Sequence, residues 1–357
     1  MKPMYKLLLL LFIIPISLSA TNKGKYTKTK TINKEFNVTK NATLTISNKY
    51  GNVDVFTWDK NVISIKVTIT TNGNDEEKVE KRLEQIDVDF DSSSNNVSAK
   101  TIIEQHSNSW RFWGEKNNVN MQINYHINMP VSNNANLSND YGSISLDKLE
   151  GEAKINCDYG KIVIGELLNT TNSINIDYTN KSTIDFIKDG KINADYSSLH
   201  VERSGRTHLN ADYSHISFGM VTVLDFNCDY GSLKISESGK LVGNSDYMHT
   251  NIGKMSGSGD FKMDYGSLKI GELGQNFKNL IVNSSYSHLK IGVTQATAFN
   301  IKAATSYSGF KYPDGFTMTK EVKNNTSKYY EGYYNQADSN NHIDLKTSYG
   351  GITFTNN

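Results

Sequence analysis

From residue 141 onward one tyrosine keeps returning, flanked by small polar residues. Tyr141, Tyr159, Tyr178, Tyr196, Tyr213, Tyr230, Tyr247 and Tyr265 each follow an aspartate, and Tyr286 and Tyr307 each follow a serine. The steps between them are 18, 19, 18, 17, 17, 17, 18, 21 and 21 residues, and Tyr349 comes 42 residues later, twice 21. A period this short admits one structural rung per repeat, stacked on its neighbour.

The residues around each tyrosine define the rung. Position −4 is apolar (Ile155, Ile174, Ile192, Leu209, Phe226, Phe261), and position −2 is mostly small or apolar (Cys157, Ile176, Ala194, Ala211, Cys228). Between them stand asparagines at −3 and aspartates at −1. Such strict alternation marks a strand with one buried face. After the tyrosine, +3 and +5 are apolar again (Ile162 and Ile164, Leu199 and Val201, Leu233 and Ile235). The inward parity therefore switches, which requires a corner, and the Gly or Ser at +1 is suited to make it. The tyrosine itself falls on the inward parity. That predicts an internal aromatic stack with hydroxyls reaching a corner, rather than a binding face.

The expected fold is all-β, a single-stranded parallel β-solenoid of the β-helix kind. Each rung takes roughly 17–21 residues in two short strands and two bends. At about 4.8 Å per rung, ten rungs make a rod about 50 Å long. No stretch of the repeats carries a helical period, and β-branched residues fill the apolar positions. Beyond the leader the only prolines are Pro130 and Pro313, which bracket the regular rungs. Inner strands donate hydrogen bonds in both directions and exclude proline.

Residues 1–20 read as a secretory signal peptide: Lys2 and Lys6, the apolar run from Leu7 to Ile16, then Ser17-Leu18-Ser19-Ala20 for cleavage. The run is too short to span a membrane as a helix, and no later stretch is long and apolar enough. An exported protein of the periplasm, cell surface or medium is expected. Removing the two leader lysines from 38 basic residues leaves 36 against 37 acidic, a net charge of −1. That balance, without a basic patch, argues against nucleic acid. Cys157 and Cys228 both occupy position −2, four rungs apart, so about 19 Å of strand spacing separates them. They read as buried free thiols, too distant to bridge.

Residues 21–130 form an expected N-terminal β cap. It repeats the signature once, at Lys49-Tyr50-Gly51-Asn52-Val53. Asn74 or Asp75 is placed to cap a short helix with Val79, Leu83 and Ile86 on one face. A long hairpin follows, with Trp110, Arg111, Phe112 and Trp113 in its loop. These aromatics read either as an exposed platform for a glycan or protein partner, or as side chains folded back onto the solenoid. The regular rungs occupy 131–312. Residues 313–357 hold a second aromatic run (Tyr329, Tyr330, Tyr333, Tyr334), open to the same two readings, and a last rung built on Ile343, Leu345, Ile352 and Phe354.

Taken in order, the leader, Lys34-Glu35-Phe36-Asn37-Val38, Asn48-Lys49-Tyr50-Gly51-Asn52-Val53, a short acidic helix, Met129-Pro130 and Asn139-Asp140-Tyr141-Gly142 resemble the adhesin family of β-strand-repeat proteins. That family comprises domains of unknown function common in Bacteroidetes. Ser256-Gly257-Ser258-Gly259-Asp260 is similar to the related GIN-type repeats. The resemblance implies an envelope protein and supplies no catalytic residues.

Stacking turns every repeat position into a column. The aspartates from Asp140 to Asp264 read either as a cation-binding row or, more simply, as acceptors of backbone N–H groups at their own corners. The asparagines read as an amide ladder. His215, His249 and His288 share position +2, but serines intervene and keep neighbours about 10 Å apart, too far for one zinc ion. No Gly-x-Ser-x-Gly elbow occurs. The expectation is a non-enzymatic, adhesin-like protein without cofactor or metal that binds a protein or glycan. The alternatives are a polysaccharide-acting β-helix enzyme, which needs a cluster of carboxylates in a cleft, and an inert scaffold.

Overall fold

The alternation in each repeat becomes two walls of parallel strands. The structure, a computed structural model, describes residues 24–104, 119–274 and 276–356. Strands before the tyrosines pair in register, so that Ala153–Asp158 sets Ile155 opposite Ile174 and Asp158 opposite Asp177. They form a leading wall. Strands after the tyrosines form a trailing wall in the same way, with Ile162 of Lys161–Leu167 opposite Ile144. The apolar columns of both walls face each other in one continuous core. Fully burying each Ile, Leu or Val there contributes about 1.5–3 kcal/mol.

The period follows from the burial pattern. In the rung from Leu199 to Ile216 the inward residues are Leu199, Val201, Ser204, Thr207, Leu209, Ala211, Ser214 and Ile216. Four of these steps span two residues, as in a strand, and three span three residues. Each longer step is a bend, so this 17-residue rung turns three corners, where the sequence predicts two.

The tyrosines correct a second expectation. Tyr50 and each of its eleven counterparts through Tyr349 have a left-handed backbone, with φ between 49° and 63°. The chain turns on the tyrosine itself, so inward parity passes to position +1, where Ser197, Ser214 and Ser287 are buried. The rings point outward instead, between 38% and 59% exposed. They stack with centroids 4.8–5.2 Å apart and planes within 10° of parallel. A left-handed non-glycine residue costs about 1–2 kcal/mol. One aromatic pair per rung returns about 0.5–1.5 kcal/mol, so the stack roughly offsets the strain of its own corner.

Glycine at +1 has a different duty from the one expected. At Gly142, Gly160, Gly231, Gly266 and Gly350 an added Cβ would fall 1.8–2.2 Å from a carbonyl oxygen of the neighbouring rung. Close approach, not positive φ, selects glycine there. Where serine stands instead, its hydroxyl accepts the N–H of the adjacent rung, as Ser214 Oγ does from Ser197 N at 2.9 Å.

Both ends are closed by strands that leave the repeat. Tyr26–Asn37, Val62–Gly73 and Asn120–Pro130 pair antiparallel in sequence, and Asn120–Pro130 joins the trailing wall beside Val53–Trp58. Asn96–Ile103 joins the leading wall beside Thr43–Lys49. The two strands flanking the tryptophan stretch thus pair with different walls, not with each other as a long hairpin. Each adds one strand to its wall at the N-terminal end. The helix Glu76–Glu84 is capped by Asp75, whose Oδ1 accepts Lys78 N at 3.2 Å, and it buries Val79. Ile86 instead opens the following strand.

At the other end the chain order is not the stacking order. His342–Ser348 pairs with Asn279–Ser285 on one side and Phe299–Ser306 on the other, and Gly351–Asn356 does the same in the trailing wall. Tyr349 accordingly stacks between Tyr286 and Tyr307. The segment expected to be the last rung is wedged inside. The leading wall then continues from Phe299–Ser306 into the antiparallel strands Ser327–Tyr334 and Phe316–Lys323. The outermost strand carries Lys320, Glu321 and Lys323, charges suited to an edge.

Two outcomes follow. Tyr213→Ala removes two stacking contacts and keeps the left-handed strain, so denaturant unfolding should show a loss of about 1–3 kcal/mol. Tyr213→Gly should be about 1 kcal/mol less damaging than the alanine variant, because glycine adopts that φ freely. A chain ending at residue 341 strips partners from both Asn279–Ser285 and Phe299–Ser306. Hydrogen exchange should then show lost protection in 299–334, with the rungs from Tyr159 to Tyr230 unchanged, since rungs touch only their neighbours.

Candidate functional site

The repeat breaks most clearly where the leading wall curls into the C-terminal strands. Along Ser327–Tyr334 burial alternates, so the four tyrosines of that run part company. Tyr330 and Tyr334 are 5% and 2% exposed and pack into the core end, Tyr334 against Phe299 and Phe316. Buried rings have no surface to offer a partner, which corrects the reading of all four as one aromatic run. Tyr329 and Tyr333 face the other way, onto the outer surface of the wall beside Ala304 and Asn300.

On that surface the curl leaves a groove with two basins. The near basin, about 600 Å³, crosses the strands at positions −3 to −1 and is rimmed by Val322, Asn324 and Tyr329. The far basin, about 760 Å³, holds Lys278, Lys302, Glu331, Tyr333, His342 and Asp344. Both fall within the size of small-ligand sites. Glu331 of the far basin lies two residues along the strand from Tyr329 of the near basin. Its carboxylate lies 3.9 Å from Lys302 Nζ and accepts the Tyr329 hydroxyl at 3.1 Å. Lys320 Nζ sits over the Tyr329 ring at 5.5 Å. Burial, and then the charges of Glu331 and Asp344, push the Tyr329 phenol up, so it stays a hydrogen-bond donor.

The floor of the near basin is a change in the column chemistry. At −1 the row runs Asp246, Asp264, then Ser285, Ser348 and Ser306 in spatial order; at −3 Lys262 and Lys346 flank Asn283. No motif in the sequence marks these lysines and serines as a site. Their signal was present as an aspartate-to-serine switch at Tyr286, but the wedged strand had to be known before Lys346 could be placed beside Asn283.

The ladder itself is a poor platform for stacking ligands. Each ring face is covered by the next ring, so edges and hydroxyls are what the ladder presents between its two ends. The other columns tie rungs together. Asn175, Asn193 and Asn210 each donate an amide N–H to the previous asparagine at 2.5–3.0 Å. His215 and His249 share hydrogen bonds of 3.0 and 2.9 Å with Ser232 and Ser267 of the next rung. The aspartates differ from expectation. The N–H groups of Asp212 and Asp246 donate to Oδ1 of Asp195 and Asp229 in the rung before, not to a carboxylate at their own corner. Burial first, then neighbouring carboxylates, push Asp158, Asp212 and Asp246 up, and the same causes act on Asp177. Lys49 occupies the same position at the start of the row and pairs with Asp140 at 2.9 Å. Trp110, Arg111, Phe112 and Trp113 lie outside the described residues.

No protein-family model matches the sequence, and no curated protein matches it. Solved structures similar to the chain include a candidate cell adhesion protein from Clostridium sporogenes, with 10% identity over 93% of this chain and 100% of that one, at a TM-score of 0.19. A candidate lipid binding protein from Parabacteroides distasonis has 10% identity over 93% and 98%, at 0.29. A candidate adhesin from Bacteroides fragilis has 9% identity over 91% and 97%, at 0.24. These values are too low to transfer a ligand or an activity.

The aspartate row has a testable sign. A carboxyl whose folded pKa is raised adds stability below its unfolded value of 3.8 and loses it as pH rises through the folded value. Asp177→Asn should therefore stabilise the protein at pH 7, by roughly 0.5 kcal/mol given the exposure of the row. Thermal melts should show the gain vanishing at pH 3, where the wild-type row is protonated.

Proposed function

We propose that this chain is an exported, non-enzymatic protein of the cell envelope or surface that holds a glycan or protein partner in an adhesin-like manner. Export rests on the basic, apolar and small-residue segments of residues 1–20. The binding role rests on one observation above the others. Where the leading wall leaves its repeat at the C-terminal end it creates a concave surface of two adjoining basins, and Tyr329 and Tyr333 line it. A regular solenoid wall needs neither feature for stability.

The polysaccharide-acting alternative needs a carboxyl free to deliver a proton beside a second carboxylate. Glu331, the carboxylate at the middle of the groove, is held by Lys302 and the Tyr329 hydroxyl. That arrangement suits an ion-paired strut.

The test is binding of residues 21–357 to envelope fractions and a glycan panel, beside a Tyr329→Ala/Tyr333→Ala variant. The variant should bind at least about tenfold more weakly, about 1.4 kcal/mol, with an unchanged melting temperature. Equal binding by both proteins removes the groove from the reading. Turnover of any polysaccharide replaces it with an enzyme.

A further inference from the structure

The near basin has a charge the rest of the wall lacks. Its lining carries three cations, Lys262, Lys328 and Lys346, against one carboxylate, Asp264. Among the described residues none of the three lysines has a carboxylate within ion-pair distance. By strand register Lys262 and Lys346 stand on either side of Asn283, two strand spacings or about 10 Å apart. In the row beside them, Ser285 and Ser348 replace the aspartates of the eight preceding rungs, from Asp140 to Asp264. Had that row continued as aspartate, two more carboxylates would line the basin and cancel its excess of positive charge.

We propose that the near basin binds the acidic group of an anionic oligosaccharide, a uronate or sulfate ester, above Asn283 and between Lys262 and Lys346. This rests on the groove being the binding site. Lysine supplies a point charge that accepts carboxylate or sulfate without fixed geometry. The hydroxyls of Ser285 and Ser348 and the Asn283 amide face the same space, and both donate and accept, as recognition of sugar hydroxyls requires. Val322 is the exposed aliphatic side chain at the rim, and lysine, serine and asparagine side chains supply the polar groups of the floor. The floor is the face of a sheet whose backbone groups are already paired, so an extended peptide could pair only at the outermost strand, where Lys320, Glu321 and Lys323 guard the edge. A glycan can run on from here past Glu331 to Tyr333 in the far basin.

Calorimetric titration of residues 21–357 with tetragalacturonate, with a neutral tetrasaccharide of glucose, and with phosphatidylglycerol vesicles tests this. Tetragalacturonate should bind and the neutral sugar should bind at least about tenfold more weakly. Raising salt from about 0.1 M to about 1 M shortens the screening length from about 10 Å to about 3 Å and should weaken the acidic ligand further. Lys262→Ala/Lys346→Ala should lose at least about tenfold in affinity. Ser285→Asp/Ser348→Asp, which restores the aspartate row without removing a lysine, should do the same, with both variants still folded and melting cooperatively. Undiminished binding by either folded variant overturns the site. Vesicle binding without glycan binding overturns the glycan in favour of a lipid headgroup. If tetragalacturonate fails while the envelope fraction still binds in a manner sensitive to Tyr329→Ala/Tyr333→Ala, this inference falls and the groove reading stands. If envelope binding ignores that double variant, the groove reading falls as well.

Discussion

Everything in this molecule depends on parallel strands pairing in register at one fixed spacing. Once Ile155 sits on Ile174 and Asp158 on Asp177, every position of the repeat becomes a column. Its chemistry is then multiplied along the axis. Apolar columns close the core. Amide columns bond to themselves. Carboxylate columns accumulate repulsion, which adds to burial in pushing Asp158 and Asp177 up. The tyrosine column does something a single tyrosine could not. A left-handed corner on a bulky residue is strained, and a ring stacked above and below at about 4.9 Å makes it tolerable. The corner and the ladder are therefore one device, and neither is explained without the other.

The same multiplication makes departures from the repeat informative. The aspartate row begins against Lys49 and ends in serines, so its charge is bounded at both ends. The serines coincide with the lysines of position −3 and with the curl that makes the groove. Concavity, half-buried tyrosine and reversed charge thus meet at one end of one wall. The wedged strand His342–Ser348 contributes Lys346 and Ser348 to that floor, so closing the solenoid and building the groove are a single structural event.

Period, parity and cap positions were legible in the chain because they are local. Alternation at −4 and −2 reports a buried face whatever lies across from it, and a constant step between tyrosines reports stacking before any contact is known. The leading and trailing walls, and Asp75 as a helix cap, follow from such patterns. What parity could not report is which residue bends. Counting placed Tyr213 inward and gave the corner to +1. The structure gives the corner to Tyr213 and sends Ser214 inward, because the turn consumes one step of the alternation.

By itself the sequence determined that this chain is a parallel β-solenoid with closed ends, since short periods and two-residue alternation leave no other way to bury its isoleucines and leucines. Only the tertiary structure decided that the tyrosines face solvent, that Tyr349 stacks before Tyr307, and that Tyr329 and Tyr333 share a groove while Tyr330 and Tyr334 do not. The physical reason is the same in each case. These features depend on which strands become neighbours across long separations of chain, and a repeat that makes every rung alike carries no mark of the order in which the last rungs are laid down.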